Sequence, residues 1–215
     1  MSTPDLDRPE DVLAYLSQPI RDLSLALDDG ISYADTVLAT LFETPAEWDP
    51  YYWAHAARVR AYQLLSSMNS VDWAIGRRLP NSGIELVRGP IILRALKSLR
   101  DGPPNPGHSY ARRAFFRQQE LQEPLQLVLG LRFGDVKLPS GPNLVIDWTV
   151  GEARRLVLHL SKPIGLWDYR GTPHLAWRLP VQIGGDGEPS FVPAAEDIDL
   201  DIAIDPAELA GADAG

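Results

Sequence analysis

The sequence predicts an α+β protein in which an N-terminal helical layer packs on an antiparallel β-sheet formed by the C-terminal half. Three observations predict it. Up to about residue 70, apolar residues recur at spacings of three and four; from Pro124 onward they recur at every second residue. Between the two rhythms lies Gly102-Pro103-Pro104-Asn105-Pro106-Gly107, which no helix can continue. Helices followed by strands favour segregated layers over a wound βαβ sheet. With 215 residues, 45% of them hydrophobic and 23% charged, the chain can bury one substantial core.

The helical elements come first. Pro9 suits a first helical turn, and Val12, Leu13 and Leu16 share a face. Pro19 restarts the pattern through Ile20, Leu23 and Leu27, and Asp28-Asp29-Gly30 is expected to end it. Ser32 with Asp35 caps a further stripe of Val37, Leu38, Leu41 and Phe42. Thr44-Pro45-Ala46-Glu47 has the form of a capping box, and Asp49-Pro50 offers a second start. A long helix then carries Trp53, Ala57, Ala61, Leu64 and Met68 to about Asn69.

In the middle region Ile84-Glu85-Leu86 reads as a short strand. Pro90 reads as the opening of a helix, with Ile92, Leu96 and Leu99 on one side and Arg94, Lys97 and Arg100 on the other. Ser109 caps a helix through Ala111, Ala114 and Phe115 to about Glu120.

Four strands are expected next. Leu125, Leu127, Leu129 and Leu131 alternate with more polar neighbours, as do Leu144, Ile146, Trp148 and Val150, then Leu156, Leu158 and Leu160. Leu175, Trp177, Leu179 and Val181 form the last, which Pro180 confines to an edge. Short connections make antiparallel pairing the natural choice. Residues 1–122 thus form a helical, acidic then basic region, and 123–183 the sheet region of the same domain. Residues 184–215 form an acidic segment, an edge strand followed by a frayed tail.

Composition narrows function. The absence of cysteine excludes disulfides and thiolate metal sites. No stretch has the length and apolarity of a membrane span, and no signal-peptide pattern opens the chain, so a cytoplasmic protein without membrane association is expected. The net charge of −9 is segregated. Residues 1–50 carry 11 acids against Arg8 and Arg21; residues 51–185 carry 18 bases against 9 acids; residues 186–215 carry 9 acids and no base. Such a chain can present a basic surface despite its acidic average.

Asp147 and His159 are the acid–base candidates. Both point away from the leucine-rich faces of their strands, and a hairpin centred near Glu152 makes them diagonal neighbours roughly 7–8 Å apart. A carboxylate beside an imidazole raises its basicity, as a hydrolase requires. A metal-dependent nuclease would draw on Asp147, Glu152 and Lys162, but the acid-x-lysine spacing falls in the turn Asp135-Val136-Lys137. His55, His108, His159 and His174 contain no pair with zinc-ligand spacing. Asp197, Asp199, Asp201, Asp205 and Glu208 have calcium-loop spacing, but Ile202 stands where that loop needs glycine. An acid-faced strand fits them better. Neither a metal nor a cofactor is expected.

Two surfaces carry the functional expectation. Arg94, Lys97, Arg100, Arg112, Arg113 and Arg117, interleaved with Tyr110, Phe115 and Phe116, could hold phosphates while bases stack on the rings. Trp167, Tyr169 and Arg170 lie in a glycine-bounded loop suited to protein contact. The leading expectation is a non-enzymatic interaction or scaffold subunit of a cytoplasmic assembly. It would bind a protein partner, or a second copy, through the basic middle and the Trp167 loop. A nucleic-acid-binding module and a hydrolase or nuclease are the alternatives.

Overall fold

The computed structural model describes residues 3–77, 79, 83–98, 102–106, 110–118, 142–151, 154–164, 173–183 and 189–190. Helices α1 (Pro9–Tyr15), α2 (Ser17–Leu41) and α3 (Pro50–Ser67) precede strands β1 (Ala74–Ile75), β2 (Ile84–Arg88) and β3 (Ile91–Lys97). Helix α4 (Tyr110–Phe116) follows, then β4 (Asn143–Val150), β5 (Leu156–Pro163), β6 (Leu175–Ile183) and β7 (Pro189–Ser190). The seven strands form one sheet in sequential order, antiparallel except at β3–β4. The fold is α+β, as the two apolar rhythms predict.

The helix starts follow local chemistry. Asp49 caps α3, its Oδ1 accepting from the Tyr51 and Tyr52 amides at 2.7 and 3.0 Å, with Pro50 in the first turn. The Thr44–Glu47 box closes only a 3₁₀ turn, Pro45–Glu47, in which Thr44 donates to Glu47 Oε1 at 3.0 Å. One predicted stop does not occur: α2 runs through Asp28-Asp29-Gly30 without a break. Gly30 instead lets α3 approach, since a Cβ there would collide with the Ala57 carbonyl. The contact belongs to the helix pair, and no local signal separates it from a C-terminal glycine.

The predicted helix from Pro90 is also corrected: residues 91–97 are strand β3. Arg88 pairs with Ile91, so Gly89-Pro90 is a two-residue hairpin turn. Gly89, at φ 54°, supplies the positive φ and Pro90 fixes the next. Ile91, Leu93 and Ala95 face the helices, whereas Ile92 and Leu96 pack with Phe115, Phe116 and Val145 on the other side. A strand buried on both faces has no clean alternation, which is why its apolar residues can be read at helical spacing. Strand β3 then pairs in parallel with β4, from Ile92↔Asn143 to Lys97↔Trp148. The antiparallel expectation fails at this pair because the connection crosses over through α4.

The core lies between α1–α3 and one sheet face. Leu23, Leu27, Ala57 and Leu65 meet Leu86, Leu93, Leu144, Ile146, Trp148 and Leu160 there. The ladders of β4 and β5 sit in the predicted phase. Pro180 faces His159, and β7 pairs with Gln182 and Ile183, so among the described residues nothing pairs with β6 at Pro180 on its other side. The predicted strand at Leu125–Leu131 and the acidic segment from 191 lie outside the described residues.

Candidate functional site

The sheet face turned away from α1–α3 carries charge. In β4 and β5, Leu144, Ile146 and Trp148 and then Leu158 and Leu160 belong to the helix-side core. The two-residue period therefore sends Asp147, His159 and Ser161 to the opposite face. Asp147 and His159 are directly paired across β4–β5, closer than the diagonal placement expected. His159 Nδ1 lies 3.7 Å from Asp147 Oδ2.

Asp147 is fully buried and highly engaged. Ser98, just beyond β3, donates to Oδ2 at 2.6 Å, and Arg178 from β6 donates to Oδ2 at 2.8 Å and Oδ1 at 3.4 Å. Burial, then the Arg178 charge, lowers the His159 pKa against the opposing pull of Asp147, so the ring is neutral near pH 7. Ser161, also fully buried, places a hydroxyl on the same face with no hydrogen-bond partner among the described residues. A neutral imidazole beside a carboxyl group can accept a proton. The carboxylate, however, already serves Arg178 and Ser98. Among the described residues no group of three or more metal-capable side chains occurs. Lys162, considered for a nuclease, pairs with Asp7 at 2.7 Å; Glu152 and Asp135–Lys137 lie outside the described residues.

Sequence reasoning brought Asp147 and His159 together but missed Ser98 and Arg178. Arg178 sits in a strand read only for its leucines, and Ser98 follows a segment read as helix. A second buried cluster was missed for the same reason. Glu85, fully buried on the same sheet face, accepts from Arg94 Nε at 2.8 Å and faces Arg77 Nε at 3.3 Å. Arg94 also lies 3.8 Å from the centroid of the Phe115 ring.

This dissolves part of the expected basic surface. Arg94 is buried in an ion pair, while Lys97 lies on the helix side, its Nζ 5.4 Å from the Trp53 ring. The two do not share an exposed face. Phe115 and Phe116 are core residues, unavailable for stacking. Arg112 is exposed and Arg113 and Arg117 are half-buried on or just after α4, while Arg100, Trp167, Tyr169 and Arg170 lie outside the described residues.

Among the described residues, large apolar side chains are also exposed at one end of the helical layer. Helices α2 and α3 pair antiparallel: Trp53 Nε1 donates to Asp35 at 2.7 Å, and Arg60 to Asp29 at 2.7 Å. That register brings the end of α2 to the start of α3. Tyr51 (80% exposed), Leu41 (61%), Tyr52 (52%) and Phe42 (36%) gather at this tip. Leu41 and Phe42, expected to join an apolar stripe, extend past the core. Glu43, Glu47 and Asp49 are exposed beside them, and no Lys or Arg occurs between Arg21 and Arg58.

No family model matches the chain, and neither a curated protein nor a solved structure is significantly similar to it. Among the described residues no helix is long and apolar enough to cross a membrane.

Proposed function

We propose that the chain is a non-enzymatic interaction subunit whose described contact surface is the tip of the α2–α3 hairpin. The observation that supports this is the grouping of Leu41, Phe42, Tyr51 and Tyr52 in solvent. Four large apolar side chains at one exposed corner of a folded protein are characteristic of a docking surface. Their neighbours Glu43, Glu47 and Asp49 make the corner acidic, so it fits a protein segment that is both apolar and basic. The Asp147–His159 pair adds no rival of equal weight, because Asp147 is already engaged by Ser98 and Arg178. The segment containing Trp167, Tyr169 and Arg170 is a second proposed contact.

Affinity purification from native extract should compare the wild type with Leu41→Glu/Tyr51→Glu and with Trp167→Ala, reading co-purifying proteins by mass spectrometry. A specific partner lost in the double variant, and then rebuilt from purified components, supports the tip. Partners equally retained by the double variant reject it, and loss only with Trp167→Ala moves the contact to that segment. Self-association abolished by the double variant would make a second copy the occupant, the homo-oligomeric form of the reading.

A further inference from the structure

The backbone at the hairpin tip is already hydrogen-bonded. Tyr51 and Tyr52 donate their amides to Asp49 Oδ1 at 2.7 and 3.0 Å, and the Phe42 amide donates to the Leu38 carbonyl at 3.0 Å. Leu41 closes α2, whose amides bond within the helix. What the tip offers a partner is therefore side chains: Leu41, Phe42, Tyr51 and Tyr52.

Two kinds of regular protein structure could cover such a group. An extended segment needs a sheet edge to take up its amides and carbonyls; without one it buries them unpaired. A helix bonds its own backbone and presents an apolar stripe at spacings of three and four. Charge then selects among helices. Residues 22–57 carry seven acids and no Lys or Arg, and Glu43, Glu47 and Asp49 are exposed at the tip. An anionic lipid surface or the phosphates of a nucleic acid would be repelled there.

We propose that the occupant of the tip is an amphipathic helix of a partner protein, with an apolar stripe flanked by Lys and Arg. Its stripe packs on Leu41, Phe42, Tyr51 and Tyr52, side chains of two adjoining helix ends, as one helix packs on others. Its cations face Glu43, Glu47 and Asp49, and the Tyr51 and Tyr52 hydroxyls can accept from the same donors. The proposal rests on the tip being a contact surface.

Three synthetic peptides of about 18 residues, long enough to hold a helix, test it against the full ¹⁵N-labelled chain. The first has Leu at helical spacing and Lys elsewhere. The second has the same composition in strict alternation, and the third replaces each Lys of the first by Glu. The first should bind most tightly, gain helical circular dichroism on binding and shift the amide signals of Tyr51 and Tyr52. Leu41→Glu/Tyr51→Glu should weaken its binding by roughly tenfold or more. Glu43→Gln/Glu47→Gln should weaken it by a smaller factor that shrinks with added salt. Val71→Glu, which changes an exposed apolar residue beyond the far end of α3, should bind like the wild type. Equal binding by the alternating or the Glu peptide overturns the proposal, as does no binding by the first or undiminished binding in Leu41→Glu/Tyr51→Glu. The native-extract comparison separates this failure from that of the tip itself. A partner still lost there in Leu41→Glu/Tyr51→Glu keeps the tip as a contact surface for something other than a basic helix; partners retained there reject the tip.

Discussion

Arg94 donates to Glu85 across β2 and β3, Nε to Oε2 at 2.8 Å, with both side chains buried. The pair lies on the sheet face that a simple two-layer packing would leave to solvent. Removing one partner strands the other charge, so Glu85→Gln should destabilise the protein by about 3–5 kcal/mol in urea unfolding. The double replacement Glu85→Leu/Arg94→Met should recover most of that loss, because only Arg77, whose side chain is 26% exposed, is then left without its acceptor. A single variant within about 0.5 kcal/mol of wild type would refute the account.

The same carboxylate predicts an acid response. Burial acts to raise its pKa, but the hydrogen bond from Arg77 and the charge of Arg94 outweigh burial and hold it below 4.5. A lowered folded pKa means that the unfolded chain takes up the proton first. The stability contributed by Glu85 is therefore complete above 4.5 and declines as pH falls from there through the folded value. Unfolding free energies from pH 6 down to pH 3 should show a decline that is smaller in Glu85→Gln.

His159 should respond at milder pH. Burial, then Arg178, lowers its pKa from 6.5, so protonation favours the unfolded chain, and stability falls as pH drops below 6.5. Asp147→Asn should lower the NMR titration midpoint further by removing the attraction for the imidazolium. Arg178→Gln should raise it. Unchanged midpoints in both variants would show that the groups do not sense one another.

Gly30→Ala should reverse the usual helix rule. In an open helix the change stabilises by about 1 kcal/mol. Here the new methyl would meet the Ala57 carbonyl of α3, and separating two packed helices should cost about 1–3 kcal/mol. A rise in melting temperature would show that the close approach is not rigid.

Gln118 should be as sensitive as a core residue. At φ 56°, just after α4, its side chain accepts from the Asn143 amide at 2.7 Å. It also donates to the Asn143 and Pro163 carbonyls at 2.7 and 2.8 Å. It thus ties the start of β4 to the end of β5. Gln118→Gly relieves the backbone but leaves these groups without their partner, and should still destabilise by roughly 1–3 kcal/mol. A stabilised Gln118→Gly would mean that the strain outweighs the clamp.

How much of the site was legible follows from where its information lies. The Asp147–His159 pairing could be read because two alternating ladders and a short turn constrain a hairpin register. Ser98 and Arg178, which engage that carboxylate, reach it from 49 and 31 residues away along the chain. Arg94 and Lys97 could be read only as basic. Their environments differ because alternate residues of β3 face different layers.

The sequence by itself determined the elements whose cause is local: the Asp49-Pro50 start of α3, the leucine ladders of β4 and β5, and the helices-then-strands order. A cap and a periodic face need only a few neighbouring residues. Tertiary structure decided the strand at 91–97, the continuation of α2 through Gly30, the parallel β3–β4 pair and the burial of Glu85 with Arg94. Each depends on what packs against a residue from another part of the chain, where desolvation and close approach act between segments that no local window contains.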